Sequence, residues 1–66
     1  MTRQEIEKAI EHIREIAADD EMAHSEEDDL YAAFVRHVAE TAGGELAECA
    51  KMVLTTSEIR FARWCA

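Results

Sequence analysis

The chain is expected to be all-α: a small bundle of three helices followed by a short fourth helix at the C-terminus. Three observations lead there. Its 66 residues include no proline and only two glycines, which stand side by side, so little interrupts helix formation. Alanine, glutamate and isoleucine are abundant. Apolar residues return every three or four positions, the spacing of one helix face. The length allows one domain, residues 1–66. A chain this short buries only about 60 % of the surface its unfolded form exposes. Its own core is therefore marginal, and small scaffolds of this kind usually add disulfides, metals, self-association or very regular helix packing.

The first helix is expected over Arg3 to Ala18. Thr2 followed by Glu5 has the spacing of a capping box. Ile6, Ala9, Ile10, Ile13, Ile16 and Ala17 form one apolar stripe, with Glu7, Lys8, Glu11, Arg14 and Glu15 largely opposite. Lys8 with Glu11, and Glu11 with Arg14, can pair at i,i+3. Asp19, Asp20 and Glu21 would sit badly at the negative carboxyl end of this helix and well at the amino end of the next. The break is thus placed near Asp19.

The second helix is expected to start at Asp20, or at Ser25, and to run to about Thr41. Ala23, Leu30, Phe34, Val35 and Val38 supply its apolar stripe, with Tyr31 at the edge. The pair Gly43-Gly44 is the clearest punctuation in the chain, and Gly43 suits the left-handed position that ends a helix. The third helix follows from about Glu45 to Leu54, with Leu46, Cys49, Ala50 and Val53 on one face. Thr55 with Glu58 again has capping-box spacing and would open the fourth helix through SEIRFARWC. Ile59, Phe61, Ala62 and Trp64 cannot all point one way, so some apolar surface is left for a partner. Trp64 suits either an interface hot spot or a plug that closes the helices, and the plug is favoured in so small a core.

Charge narrows the function. The formal net charge is −8, which argues against direct contact with nucleic acid or an anionic membrane, since both need a basic surface. A basic protein partner fits it. The opening residues are amphipathic and charged, with no apolar signal-peptide core, and no run approaches membrane-spanning length. A cytoplasmic, reduced protein is expected. Cys49 and Cys65 then read as two thiols, one disulfide in an oxidising compartment being the alternative.

The candidate site lies in the stretch ADDEMAHSEEDDLY, with seven acidic residues around one histidine. In a helix starting near Asp20, the residues Asp20, Glu21, Glu27 and Asp28 all fall within about 60° of His24. Tyr31 lies on the same side. Glu21-x-x-His24 has the spacing of a di-iron carboxylate motif, but that architecture needs two such motifs and two further glutamates. No second copy occurs here. Asp20, Glu21, His24 and Glu27 are therefore weak metal candidates. His24 could serve as a general acid, yet no nucleophile, oxyanion hole or phosphate loop accompanies it, and neither an enzyme nor a cofactor is expected. The simplest reading is a first turn whose acids favour the helix dipole. Glu27 fits it least, because it shares the stripe of Ala23, Leu30 and Phe34. Either the helix starts at Ser25, or Glu27 is held at the core edge by His24 or an arginine. Arg36, Arg60 and Arg63 lie in the second half and could bridge to the acidic segment.

The segments DDEMAHSEEDDLY and LTTSEIRFARWCA, in this order, resemble a group of short uncharacterised proteins encoded in tailed-phage and prophage genomes. The matching positions are Asp19, Asp20, Glu21, Ala23, His24, Ser25, Glu27, Asp28 and Leu30, then Phe61, Arg63, Trp64, Cys65 and Ala66. The resemblance implies a phage-related small protein, in the host cytoplasm, and carries no catalytic role. The expected function is a non-enzymatic helical binding protein that docks on a host or phage protein. Asp20, His24, Glu27, Asp28, Tyr31, Arg63 and Trp64 are its candidate binding residues. Self-association as a homodimer is a further expectation, because Ile-rich helix 1 offers more apolar face than 66 residues can cover. The alternatives are a metal-binding protein centred on Asp20, His24 and Glu27, or a structural assembly component.

Overall fold

The computed structural model describes residues 1–61. They form a small all-α fold of three helices in chain order, α1 (Arg3–Glu15), α2 (Asp20–Thr41) and α3 (Gly44–Leu54), with a 3₁₀ turn at Thr55–Glu58. α1 and α3 each pack on α2 and not on one another.

Local chemistry sets the boundaries. Thr2 and Glu5 make the capping box: the Glu5 N–H donates to Thr2 Oγ1 at 3.1 Å, and the Thr2 N–H donates to Glu5 Oε1 at 3.2 Å. The Thr2 backbone N–H, and after it the Thr2 hydroxyl, hydrogen-bond to the Glu5 carboxyl and hold it below its ordinary pKa. Its contribution to stability is present above the unfolded value and is lost as pH falls through the folded one. α1 ends at Glu15, three residues earlier than the periodicity suggests. Ile16 leaves helical geometry, and the Asp19 N–H closes the turn onto the Ile16 carbonyl at 2.9 Å. The turn frees Asp19 to adopt the extended backbone of a cap, where its Oδ1 accepts the Met22 N–H at 3.0 Å. α2 therefore starts at Asp20 and not at Ser25. The Met1 ammonium donates to His37 Nδ1 at 2.8 Å, pinning the start of α1 beside the far end of α2.

The glycine pair works one residue later than expected. Ala42 ends α2 in an extended conformation, Gly43 is the extended cap of α3, and Gly44 takes the left-handed φ of +63°. A Cβ at either position would meet no atom within 4 Å, so only the backbone distinguishes them. Gly44→Ala is expected to lower stability by about 1–2 kcal/mol, and Gly43→Ala to have far less effect, as read from urea melts of the two variants.

The fourth helix is corrected to the single 3₁₀ turn joined to α3, after which Ile59 is extended. The reason lies in three successive hydroxyls. Thr55, Thr56 and Ser57 donate to the carbonyls of Met52, Val53 and Leu54 at 2.6, 2.9 and 3.0 Å. They add side-chain bonds to the last carbonyls of α3, two of which also accept the Thr55 N–H, and tighten its end. The Thr55 hydroxyl is a donor to the turn before it and does not cap a new helix. The expectations that fall on residues 62–66 lie outside the described residues: the rest of the fourth helix, the Trp64 plug, the Arg63 bridge and the Cys65 thiol.

The core is thin. Its buried apolar residues among those described are Ala39, Ala47 and Ala50, all at the α2–α3 seam. Methyl groups allow these two helices a close approach, and the larger residues flank the contact. The principal extents are 40 × 33 × 10 Å. A second helical layer would add an interaxial 8–10 Å to a helix's own width, which 10 Å cannot hold. The three helices thus lie side by side in one layer.

Candidate functional site

Because α2 is continuous from Asp20, the acids of the sequence-derived site do share a helix face with His24. Of them, Asp28 pairs with it: His24 Nε2 lies 3.6 Å from Asp28 Oδ2, in an exposed i,i+4 contact. Asp20 and Glu21 stand in the open first turn, next to the capping Asp19. Among the described residues no three His, Cys, Asp or Glu side chains converge where a metal ion could be held. Side chains at i, i+3 and i+4 fan outward from a convex helix. A chelate needs a second element facing them, and none of the described helices, lying side by side in one layer, faces them. The grouping of Asp20, Glu21, His24 and Glu27 is accordingly a charged surface in this geometry.

Glu27 is exposed. The helix does not start at Ser25, and among the described residues no arginine or histidine pairs with the Glu27 carboxylate. Of the α2 stripe it shares, Phe34 is exposed while Ala23 and Leu30 are half-buried. Its neighbour is Tyr31, one turn on. The negative charge of Glu27, then a hydrogen bond to it, raises the Tyr31 phenol above its ordinary pKa, with a smaller push from Asp28. The folded chain thus keeps this proton after the unfolded chain has lost it. The contribution is complete below the unfolded value and disappears as pH rises through the folded one. Tyr31 is the only tyrosine, so tyrosinate absorbance reports on it directly. Glu27→Gln is expected to move that titration midpoint down towards the ordinary value; an unmoved midpoint would refute the assignment. Arg36 and Arg60 were candidates for bridging to the acidic segment. Among the described residues neither reaches one of its carboxylates; both are exposed.

A second surface is built from the apolar stripe of α2 and the apolar face of α3. Phe34, Leu46 and Val53 are 48 %, 63 % and 56 % exposed. A groove between α1 and α2 is lined by Ile6, Leu30, Tyr31, Phe34 and Val35. A groove between α2 and α3 is lined by Phe34, Val35, Val38, Leu46, Cys49 and Val53, with Ala50 at its floor. The two share Phe34 and Val35, so they run together across α2 as one uncharged face. Towards the chain end a third depression continues it past Tyr31 and Val53 to Phe61, rimmed by Asp28 and Asp29. Single exposed apolar side chains are ordinary on a protein surface; a contiguous face is a marker of interaction. The signal in the sequence was the excess of large apolar residues over what so short a chain can enclose.

No helix among the described residues is long and apolar enough to cross a membrane. Compared with known protein families, characterised proteins and solved structures, the chain finds no match in any of the three.

Proposed function

We propose that this chain is a small acidic binding module, non-enzymatic, that docks on another protein of a phage or its host. The observation that supports this reading is the apolar face from Ile6 across Phe34 and Val35 to Leu46. A face of that kind, uncharged and open, is completed by contact with protein and not by water. The acidic half of α2 flanks it through Asp28 and Asp29, and disfavours nucleic acid. Asp20, His24, Glu27 and Tyr31 then act as an exposed polar border that tunes partner choice. Such borders contribute more to association rate and selectivity than to affinity.

The test is site-specific photocrosslinking in cells. A photoreactive residue at position 46 is expected to give a discrete protein adduct, while the same residue at the exposed position 11 gives none. Equal labelling from both positions, or no adduct from position 46, would remove the reading.

A further inference from the structure

We infer that the apolar face is covered by a second copy of this chain, two three-helix layers stacking face to face into a six-helix dimer. This rests on the binding reading above and names the partner. The first support is area. A compact monomer of 7.5 kDa exposes about 4,250 Å², whereas this chain exposes 5454 Å², an excess of roughly 1,200 Å². Deducting about 850 Å², all that residues 62–66 could expose as free chain, and scaling to 61 residues still leaves roughly 600 Å². A stable interface takes about 600–1,000 Å² from each partner. The missing burial is that of one half of a dimer.

Shape agrees with area. The radius of gyration is 13.6 Å, against about 10.8 Å for a compact chain of this length. One layer only 10 Å thick becomes an ordinary two-layer helical domain when a second is laid on it. The residues that would meet carry no charge: Ile6, Phe34, Val35, Val38, Leu46 and Val53. Apolar faces of this kind are characteristic of homodimers.

Sedimentation velocity of the full chain from about 5 µM to about 500 µM, where homodimers of ordinary affinity form, decides the matter. The expected result is a species of twice the 7.5 kDa chain mass. Leu46→Lys and Phe34→Lys each put a charge into the interface and are expected to weaken it about a hundredfold or more. Both positions are already exposed in the single chain, so neither charge is buried there. Met22→Lys, at an exposed apolar residue off this face, is expected to remain dimeric. Cys49 gives an independent reading. In a Cys65→Ser background its thiol, open in the single chain, is expected to react more slowly as protein concentration rises. Single chains throughout the range, a dimer that survives both lysines, or Cys49 reactivity independent of concentration would each overturn the dimer. In that event a foreign adduct from position 46 leaves the binding reading standing, and no adduct removes both.

Discussion

Ala47→Glu is expected to abolish the fold. Ala47 lies on the face of α3 that packs against α2, and only 7 % of it is exposed. Glutamate forms helix nearly as well as alanine, so α3 itself loses only a few tenths of a kcal/mol. The cost comes from the seam. With Ala39, Ala47 and Ala50 as its buried contacts, the close approach of α2 and α3 leaves no space for a longer side chain. An unpaired carboxylate forced into it costs about 3–5 kcal/mol, as much as the whole stability of many domains this small. The far-ultraviolet circular dichroism signal should fall, and the cooperative thermal transition should vanish. Glu48→Ala, one residue on, is the control. It removes an exposed pair to Lys51 at 3.5 Å and should shift stability by no more than about 0.5 kcal/mol. If Ala47→Glu melts within a few degrees of the parent, the alanine seam is not what joins α2 to α3.

That seam also marks where the sequence stopped being readable. The helices were legible because their signals are local. Thr2 with Glu5 is a reciprocal pair within one turn, and Asp19 to Glu21 can be placed only at a helix start. The face of α3 was not legible in the same way. Leu46, Ala50 and Val53 lie on one side of it, and Ala47, Ala50 and Leu54 on another. Both satisfy helical spacing. Hydrophobicity favours the first, while the approach distance of α2 selected the second, and approach distance is a tertiary property. Likewise Gly43 and Gly44 are chemically identical, and which takes positive φ depends on how α2 leaves its last turn. Thr55 was misread for a related reason: a hydroxyl can accept at a helix start or donate at a helix end, and only the backbone around it decides.

For the candidate site the division is similar. The sequence located a charged face on α2, and continuity of the helix from Asp20 puts His24, Asp28, Glu27 and Tyr31 on it. What the sequence could not supply was an opposing element. With α1 and α3 beside α2 in one layer, the acids face outward, and the contacts they make are the local ones of His24 with Asp28 and of Glu27 with Tyr31. The same layer arrangement turns Phe34, Leu46 and Val53 from core residues into a surface. One geometric fact thus leaves the first cluster as an outward-facing charged surface among the described residues and exposes the second.

The melting temperature is expected to rise with protein concentration, and to rise further with salt. If the alanine seam supplies only part of the stability and a second copy supplies the rest, unfolding includes dissociation. Mass action then adds about 1.4 kcal/mol for each tenfold increase in concentration. For a cooperative unit of about 130 residues this moves Tm upward by roughly 4–7 °C. The salt effect follows from charge. Each copy carries −8, with seven acids between positions 19 and 29, so two copies repel while their uncharged faces attract. Raising ionic strength from about 20 mM to about 0.5 M shortens the screening length from about 20 Å to about 4 Å. That weakens the repulsion and leaves the apolar contact intact, so Tm should climb. The local ion pairs push the other way, but they are exposed and each contributes at most a few tenths of a kcal/mol. Differential scanning calorimetry over a hundredfold range of concentration, at both salt levels, separates the cases. A Tm that ignores concentration and falls with salt would mean that one chain, held by its surface ion pairs, is the whole folding unit.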